Sequence, residues 1–301
     1  MTGADFDAWT RAEQAAVESA LQAWVPADAP AGLGVAMRYG VLDGGKRLRP
    51  MLVLAACQAS GGLRPAALRA AVAVELIHAY SLVHDDMPCM DNDVLRRGKP
   101  TVHVQFGEAR AMLAGDAMHT LAFEILTAPV DHEGDFDTPP VLQARLCSLL
   151  ARASGHAGMA GGQAIDLASV GRPLPEAALR DMHRRKTAAL LQASVQMGAA
   201  CGPVDATVWQ ALSEYGLALG IAFQVVDDIL DVTQESHTLG KTAGKDLDNN
   251  KPTYVTVLGL DAARRHALEL RDQAHAALAR SGLTQAGALA LLADRVVARE
   301  S

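Results

Sequence analysis

The chain has 301 residues, half of them hydrophobic, so it can bury a sizeable core as one large domain or two smaller ones. A net charge of −7 and a pI near 5.8, with no basic tract, exclude nucleic acid as an expected partner. No charged-then-apolar leader and no uninterrupted apolar run of about 18 residues is present, so neither secretion nor a membrane span is expected. Cys57, Cys89, Cys147 and Cys201 are scattered without a Cys-x-x-Cys pair, which fits reduced thiols in a cytoplasmic protein.

Spacings of three and four dominate and alternating segments are scarce, which predicts an all-α chain. The predicted helices span 5–24, 31–40, 48–60, 65–87, 108–127, 140–155, 157–168, 176–200, 205–232, 252–281 and 284–298. Breaks fall at Gly61-Gly62, Gly98-Lys99-Pro100, Gly171-Arg172-Pro173 and Gly202-Pro203, where turn chemistry sits. The acidic, proline-containing stretch from Asp131 to Pro140 is the best linker candidate. It reads as a surface loop within one domain of residues 1–301, because neither half alone would hold both motifs described next.

Two helices end in aspartate clusters. The apolar stretch Ala71 to Val83 runs into Asp85-Asp86-Met87-Pro88-Cys89-Met90-Asp91, and Gly216 to Val226 runs into Asp227-Asp228-Ile229-Leu230-Asp231. Carboxylates crowded against apolar helices are costly without compensating positive charge. On a helix, Asp227 and Asp231 lie about 40° apart on one face, with Gln224 on the same stripe. Asp85 and Asp91 would lie about 240° apart on an unbroken helix. Pro88 should end that helix near Met87 and let Asp91 fold back toward Asp85. Oxygen-only clusters suit Mg²⁺, which takes few carboxylates and completes its octahedron with water and phosphate oxygens.

Basic groups supply the counterpart. Gly44-Gly45-Lys46-Arg47-Leu48-Arg49-Pro50 puts three cations in four residues after a glycine pair, and Arg96-Arg97-Gly98-Lys99 follows the first acidic cluster. Guanidiniums grip phosphate bidentately and lysine acts as a mobile point charge. Each basic run alone reads equally well as a solvated face. His78 lies on the Asp85 face two turns earlier and reads alternatively as a core histidine. Lys186-Thr187 stands where a charged run meets an apolar one, and Gly161-Gly162-Gln163-Ala164-Ile165-Asp166 reads as a close-packed glycine pair. The polar stretch from Gly240-Lys241 to Lys251 is either surface or a closing lid.

Together and in this order, these motifs resemble the short-chain trans-prenyl diphosphate synthases, most closely the bacterial farnesyl diphosphate synthases, from about Met37 to Leu258. The resemblance implies a helical bundle around a deep central cavity, normally a homodimer, with the two aspartate motifs facing each other across its mouth. It implies three Mg²⁺ held mainly by Asp85, Asp91 and Asp227, with Asp86, Asp228 and Asp231 supporting. An allylic diphosphate would be gripped by these metals with Arg96, Lys186 and Lys241, in the loop that Lys251 closes. Isopentenyl diphosphate would sit against Gly45, Lys46, Arg49, His78 and Arg97. Thr187, Gln224 and the Lys186 backbone would steady the allylic cation, and the departing diphosphate would accept the proton. In this family a bulky group at the Tyr80 position, beside Ser81, shortens the product, which favours fifteen carbons over twenty. The C-terminus Val296-Val297-Ala298-Arg299-Glu300-Ser301 lacks the strongly basic tail of some relatives.

Geranyl or geranylgeranyl diphosphate synthesis remains the alternative within the family. A terpene cyclase would need an aromatic-lined pocket, for which 4 % aromatic residues provide little. A non-catalytic synthase subunit should have lost one aspartate cluster, and this chain keeps both.

Overall fold

A computed structural model describes residues 1–42, 44–129, 138–171, 174–233 and 252–298. Helix α1, Gly3–Trp24, starts from a capping box in which Thr2 and Asp5 satisfy each other's backbone N–H. Helices α2 (Leu33–Val41), α3 (Leu48–Ala59) and α4 (Arg64–Asp85) follow. Pro65 opens α4, where its missing donor costs nothing. By length and mean hydropathy α4 could cross a membrane, but it lies at the centre of the bundle, packed on α3 and on α6 (Glu108–Thr127). Alanines and valines are buried around its circumference, from Ala66 to Val83, so its burial is not confined to a stripe.

Between α4 and α6 the sequence reading had assigned no element. The structure has a two-residue antiparallel hairpin there, Leu95–Arg96 against Lys99–Pro100, and a one-turn helix α5, Val102–Phe106. Arg97 and Gly98, both at positive φ, make the tight turn that matches the strand twist. Such short elements carry too few residues to show a period.

The second half holds α7 (Pro140–Ser154), α8 (Met159–Ala168), α9 (Glu176–His183), α10 (Ala189–Ala200) and α11 (Ala206–Thr233). After them come α12 (Tyr254–Leu258), α13 (Leu260–Ser281) and α14 (Gly287–Val297). The expected helix 176–200 is continuous but contains a π-turn at Arg184–Ala188, and 252–281 is interrupted at Gly259, whose φ is +83°. Helix α11 packs against α10 and α13, and together with α3, α4, α8 and the π-turn it encloses a central cavity. The all-α bundle expected from the sequence is the fold observed. Lys241, Lys251 and residues 131–137 lie outside the described residues.

Candidate active site

Helix α4 stops at Asp85, and the chain beyond Pro88 turns back as anticipated. The Asp91 N–H donates to the Asp85 carbonyl (2.9 Å), Asn92 N–H to Met87 (3.0 Å) and Asp93 N–H to Asp86 (3.1 Å), with Asn92 in the left-handed region. This return puts Asp91 close enough to act on Asp85. Burial first, then the charges of Asp91 and Asp86, push the Asp85 carboxyl up to about 6, against the opposing pull of Lys186 and Arg96. Asp86 points the other way. It is 2 % exposed and takes Arg96 bidentately, with Nε at 2.8 Å and 3.0 Å and Nη2 at 2.6 Å. The hairpin turn carries Arg96 to that position.

The second cluster is rigid by construction, because all three carboxylates ride on α11. Asp228, also 2 % exposed, accepts from Gln224 Nε2 (2.7 Å) and from the buried Tyr254 N–H that opens α12 (2.8 Å). Thr187 Oγ1 donates to Gln224 Oε1 at 2.6 Å, so the π-turn, α11 and α12 are joined by one chain of hydrogen bonds. The stripe argument had grouped Gln224 with Asp227 and Asp231. Gln224 and Asp227 do line the same cavity, while the Gln224 amide also bonds Asp228 one turn on and the buried Asp231 lines none of the cavities described below.

Lys186 and Thr187 sit in the π-turn, whose extra residue brings both side chains to the same cavity. Lys186 Nζ donates to Asp166 of α8. Two glycines press the turn into place. A Cβ on Gly162 would lie 2.2 Å from the Lys186 nitrogen, and one on Gly220 would lie 2.6 Å from the Ala188 Cα. Both members of the predicted Gly161-Gly162 pair are close-packed, Gly162 on the Lys186 backbone and Gly161 on the His156 carbonyl, 2.0 Å from where its Cβ would lie. Asp166 stood in the same sequence run but received no role. The charged partner lying 20 residues on gave no local signal.

Three adjoining cavities with shared lining residues result. A mouth of about 260 Å³ is lined by Asp91, Asp227, Asp228, Arg96, Asp166 and Lys186. The central cavity, about 630 Å³, brings together Asp85, Asp227, Arg96, Lys186, Thr187 and Gln224 above an apolar wall of Leu82, Met159 and Leu167. At its far end stand Tyr80, Ser81 and His84; the Tyr80 ring meets His84 edge-on at 5.8 Å and His119 of α6 at 4.9 Å. His84 passes through the space left by Gly115 and reaches the Met112 carbonyl at 3.0 Å. The third cavity, about 500 Å³, is lined by Lys46, Arg49, His78 and Arg97, and shares Arg49, His78 and Arg97 with the central one.

Gly45 is required there, since a Cβ at its φ of +127° would fall 2.9 Å from the Arg97 guanidinium, which donates to the Gly44 carbonyl. Lys46, Arg47 and Arg49 all line the cavity, but Arg47, at φ +47°, is buried and its guanidinium is held by Glu18, Glu75 and the Val41 carbonyl. A left-handed non-glycine residue cannot be read from the sequence. Among the described residues no three carboxylate, histidine or cysteine groups converge closely enough to hold an ion by themselves. Asp85 on the central cavity, Asp91 on its mouth and Asp227 on both nevertheless offer oxygen-only donors. That fits a hard cation whose remaining ligands come from water and substrate.

A sequence model of the polyprenyl synthetase family matches residues 31–282. Over 270 residues the chain is 48 % identical to the farnesyl diphosphate synthase of Escherichia coli K12, covering 87 % of this chain and 88 % of that one. It is 43 % identical to the large subunit 1 of the heterodimeric geranylgeranyl pyrophosphate synthase of Arabidopsis thaliana, over 99 % of this chain and 80 % of the relative. The crystal structure of a Helicobacter pylori geranyltransferase complexed with magnesium and isoprenyl diphosphate superposes with a TM-score of 0.83 at 33 % identity, covering 97 % of this chain and 96 % of that one.

Proposed function

The chain belongs to the polyprenyl synthetase family, and we propose that it condenses isopentenyl diphosphate head-to-tail with dimethylallyl and then geranyl diphosphate, giving farnesyl diphosphate. One observation carries this choice. An acidic mouth and a separate basic cavity each adjoin one central chamber with an apolar wall, an arrangement suited to holding two diphosphates with their hydrocarbon ends facing each other.

Asp85, Asp91 and Asp227 are the residues that would hold Mg²⁺, three ions in all, with Asp86, Asp228 and Asp231 behind them. When bound, magnesium neutralises the charge that builds on a departing diphosphate. Lys186 and Arg96 add fixed positive charge at the same end, where it is worth more than in water. Lys46, Arg49 and Arg97, with Gly45 and His78, hold isopentenyl diphosphate in the third cavity. The Thr187 and Gln224 oxygens turn dipoles toward the allylic carbon as it becomes positive. Leu82, Met159 and Leu167 keep water away, which would otherwise quench the cation to an alcohol. The released diphosphate accepts the proton lost from the new isoprene unit.

Tyr80, buttressed by His84 and His119, closes the chamber and favours fifteen carbons over the twenty made by the plant relatives. Residues 1–301 read as one synthase domain, cytoplasmic and homodimeric. Neither a cyclase nor an inactive subunit accounts for an intact second diphosphate cavity beside two intact aspartate clusters.

The test is a product assay with purified protein, Mg²⁺, isopentenyl diphosphate and either starter, with products dephosphorylated and sized by chromatography. Farnesol from both starters, abolished by chelator and restored by Mg²⁺, is the expected result. Geranylgeraniol would keep the reaction and discard the floor; no elongation from either starter would overturn the proposal.

A further inference from the structure

Arg47 lines the third cavity with the other two cations of its triplet, but its guanidinium is bonded to protein, and those bonds bear on Arg49. Arg47 is 3 % exposed and makes three short contacts: Nε to Glu18 of α1 (2.6 Å), Nη1 to Glu75 of α4 (2.7 Å) and Nη2 to the Val41 carbonyl (2.7 Å). Glu75 is itself 3 % exposed and lines the third cavity, one turn before His78, beside Arg49. Arg49 is 9 % exposed, lies 6.0 Å over the Phe223 ring, and its Nε has no hydrogen-bond partner among the described residues. Two buried guanidiniums therefore stand near one buried carboxylate. A buried carboxylate left alone takes the nearest cation, because an uncompensated charge in the interior is strongly unfavourable.

Resting on the proposed function, we propose that Arg47 is a positioning residue that sequesters Glu75, so that Arg49 stays available to the diphosphate of isopentenyl diphosphate. Its inverted backbone is part of the device, since at φ +47° the Arg47 guanidinium is held by Glu18, Glu75 and the Val41 carbonyl beside the cavity that all three cations line. Without Arg47, Glu75 pairs with Arg49 and withdraws it from the anion. Glu18 needs no substitute partner because its side chain is 30 % exposed and can hydrate.

The experiment compares wild type, Arg47→Met, Arg47→Lys and the double variant Arg47→Met/Glu75→Gln, which removes both buried charges and so guards against misfolding. In Arg47→Met the KM for isopentenyl diphosphate should rise about 10- to 100-fold, the worth of one hydrogen bond to a charged group, with the KM for geranyl diphosphate unchanged. Arg47→Lys should be intermediate. The double variant should return to within about 3-fold of wild type, because Arg49 is free again. A double variant as weak as Arg47→Met, or an Arg47→Met variant with unchanged KM, overturns the inference. Calorimetric titration with isopentenyl diphosphate alone keeps the two questions apart: it ranks the variants even if wild type fails to elongate, which would sink the proposed function only.

Discussion

The two aspartate clusters arrive at one arrangement by opposite means. In each, the first member of the Asp-Asp pair, Asp85 or Asp227, faces the central cavity, and the second, Asp86 or Asp228, is buried and bonded to protein. The braces differ. Asp86 is held by a guanidinium from a two-residue hairpin, 30 % exposed at its side chain, whereas Asp228 is held by an amide on its own helix and by the backbone of another. Adjacent helical residues diverge by about 100°, so a doubled carboxylate does not aim both groups at the central cavity, although Asp227 and Asp228 both line the mouth. The second becomes an anchor for the first.

That comparison is broken if the two members prove equivalent. Asp85→Asn and Asp227→Asn should each lower turnover at saturating Mg²⁺ by about 10²- to 10³-fold, the loss expected when one preorganised electrostatic group is removed. A rate within about 5-fold of wild type in either would end the division of labour. Asp86→Asn and Asp228→Asn should act on affinity instead, raising the Mg²⁺ needed for half-maximal rate by about 10- to 100-fold, with turnover recovering at high metal.

Stability sharpens the contrast. Asp228→Ala strands the buried Tyr254 N–H and should cost about 1–3 kcal/mol in urea unfolding. Asp86→Ala releases an arginine that can hydrate, and should cost less. Smallest in rate but plain in product, Tyr80→Ala should lengthen the chain made, and His119→Ala should do so to a lesser degree by letting Tyr80 swing. An unchanged product size in Tyr80→Ala would show that the floor lies elsewhere.

The long helices, both acid clusters and the fold-back after Pro88 were legible because each rests on local chemistry: a period, a doubled charge, an imino acid. Which aspartate of a pair faces inward was legible only through the family resemblance, not from local chemistry, because the deciding partners, Arg96 and Tyr254, stand 10 and 26 residues away. The same limit hid the Lys186 contact with Asp166 and that of Arg47 with Glu75. In both, a charge that looks like part of a basic run is claimed by a carboxylate from another helix. Arg96, expected to grip substrate, carries a bracing role as well.

The turn at Arg184–Ala188 has a consequence for what this wall tolerates. An added residue rotates everything beyond it by about 100° relative to an uninterrupted helix. Helix α10 is buried on Leu190, Leu191 and Val195 in that shifted phase. Deleting any one of the five residues would turn those side chains away from their sockets. Losing one residue from the turn should therefore disturb the core far more than any single substitution in the same wall.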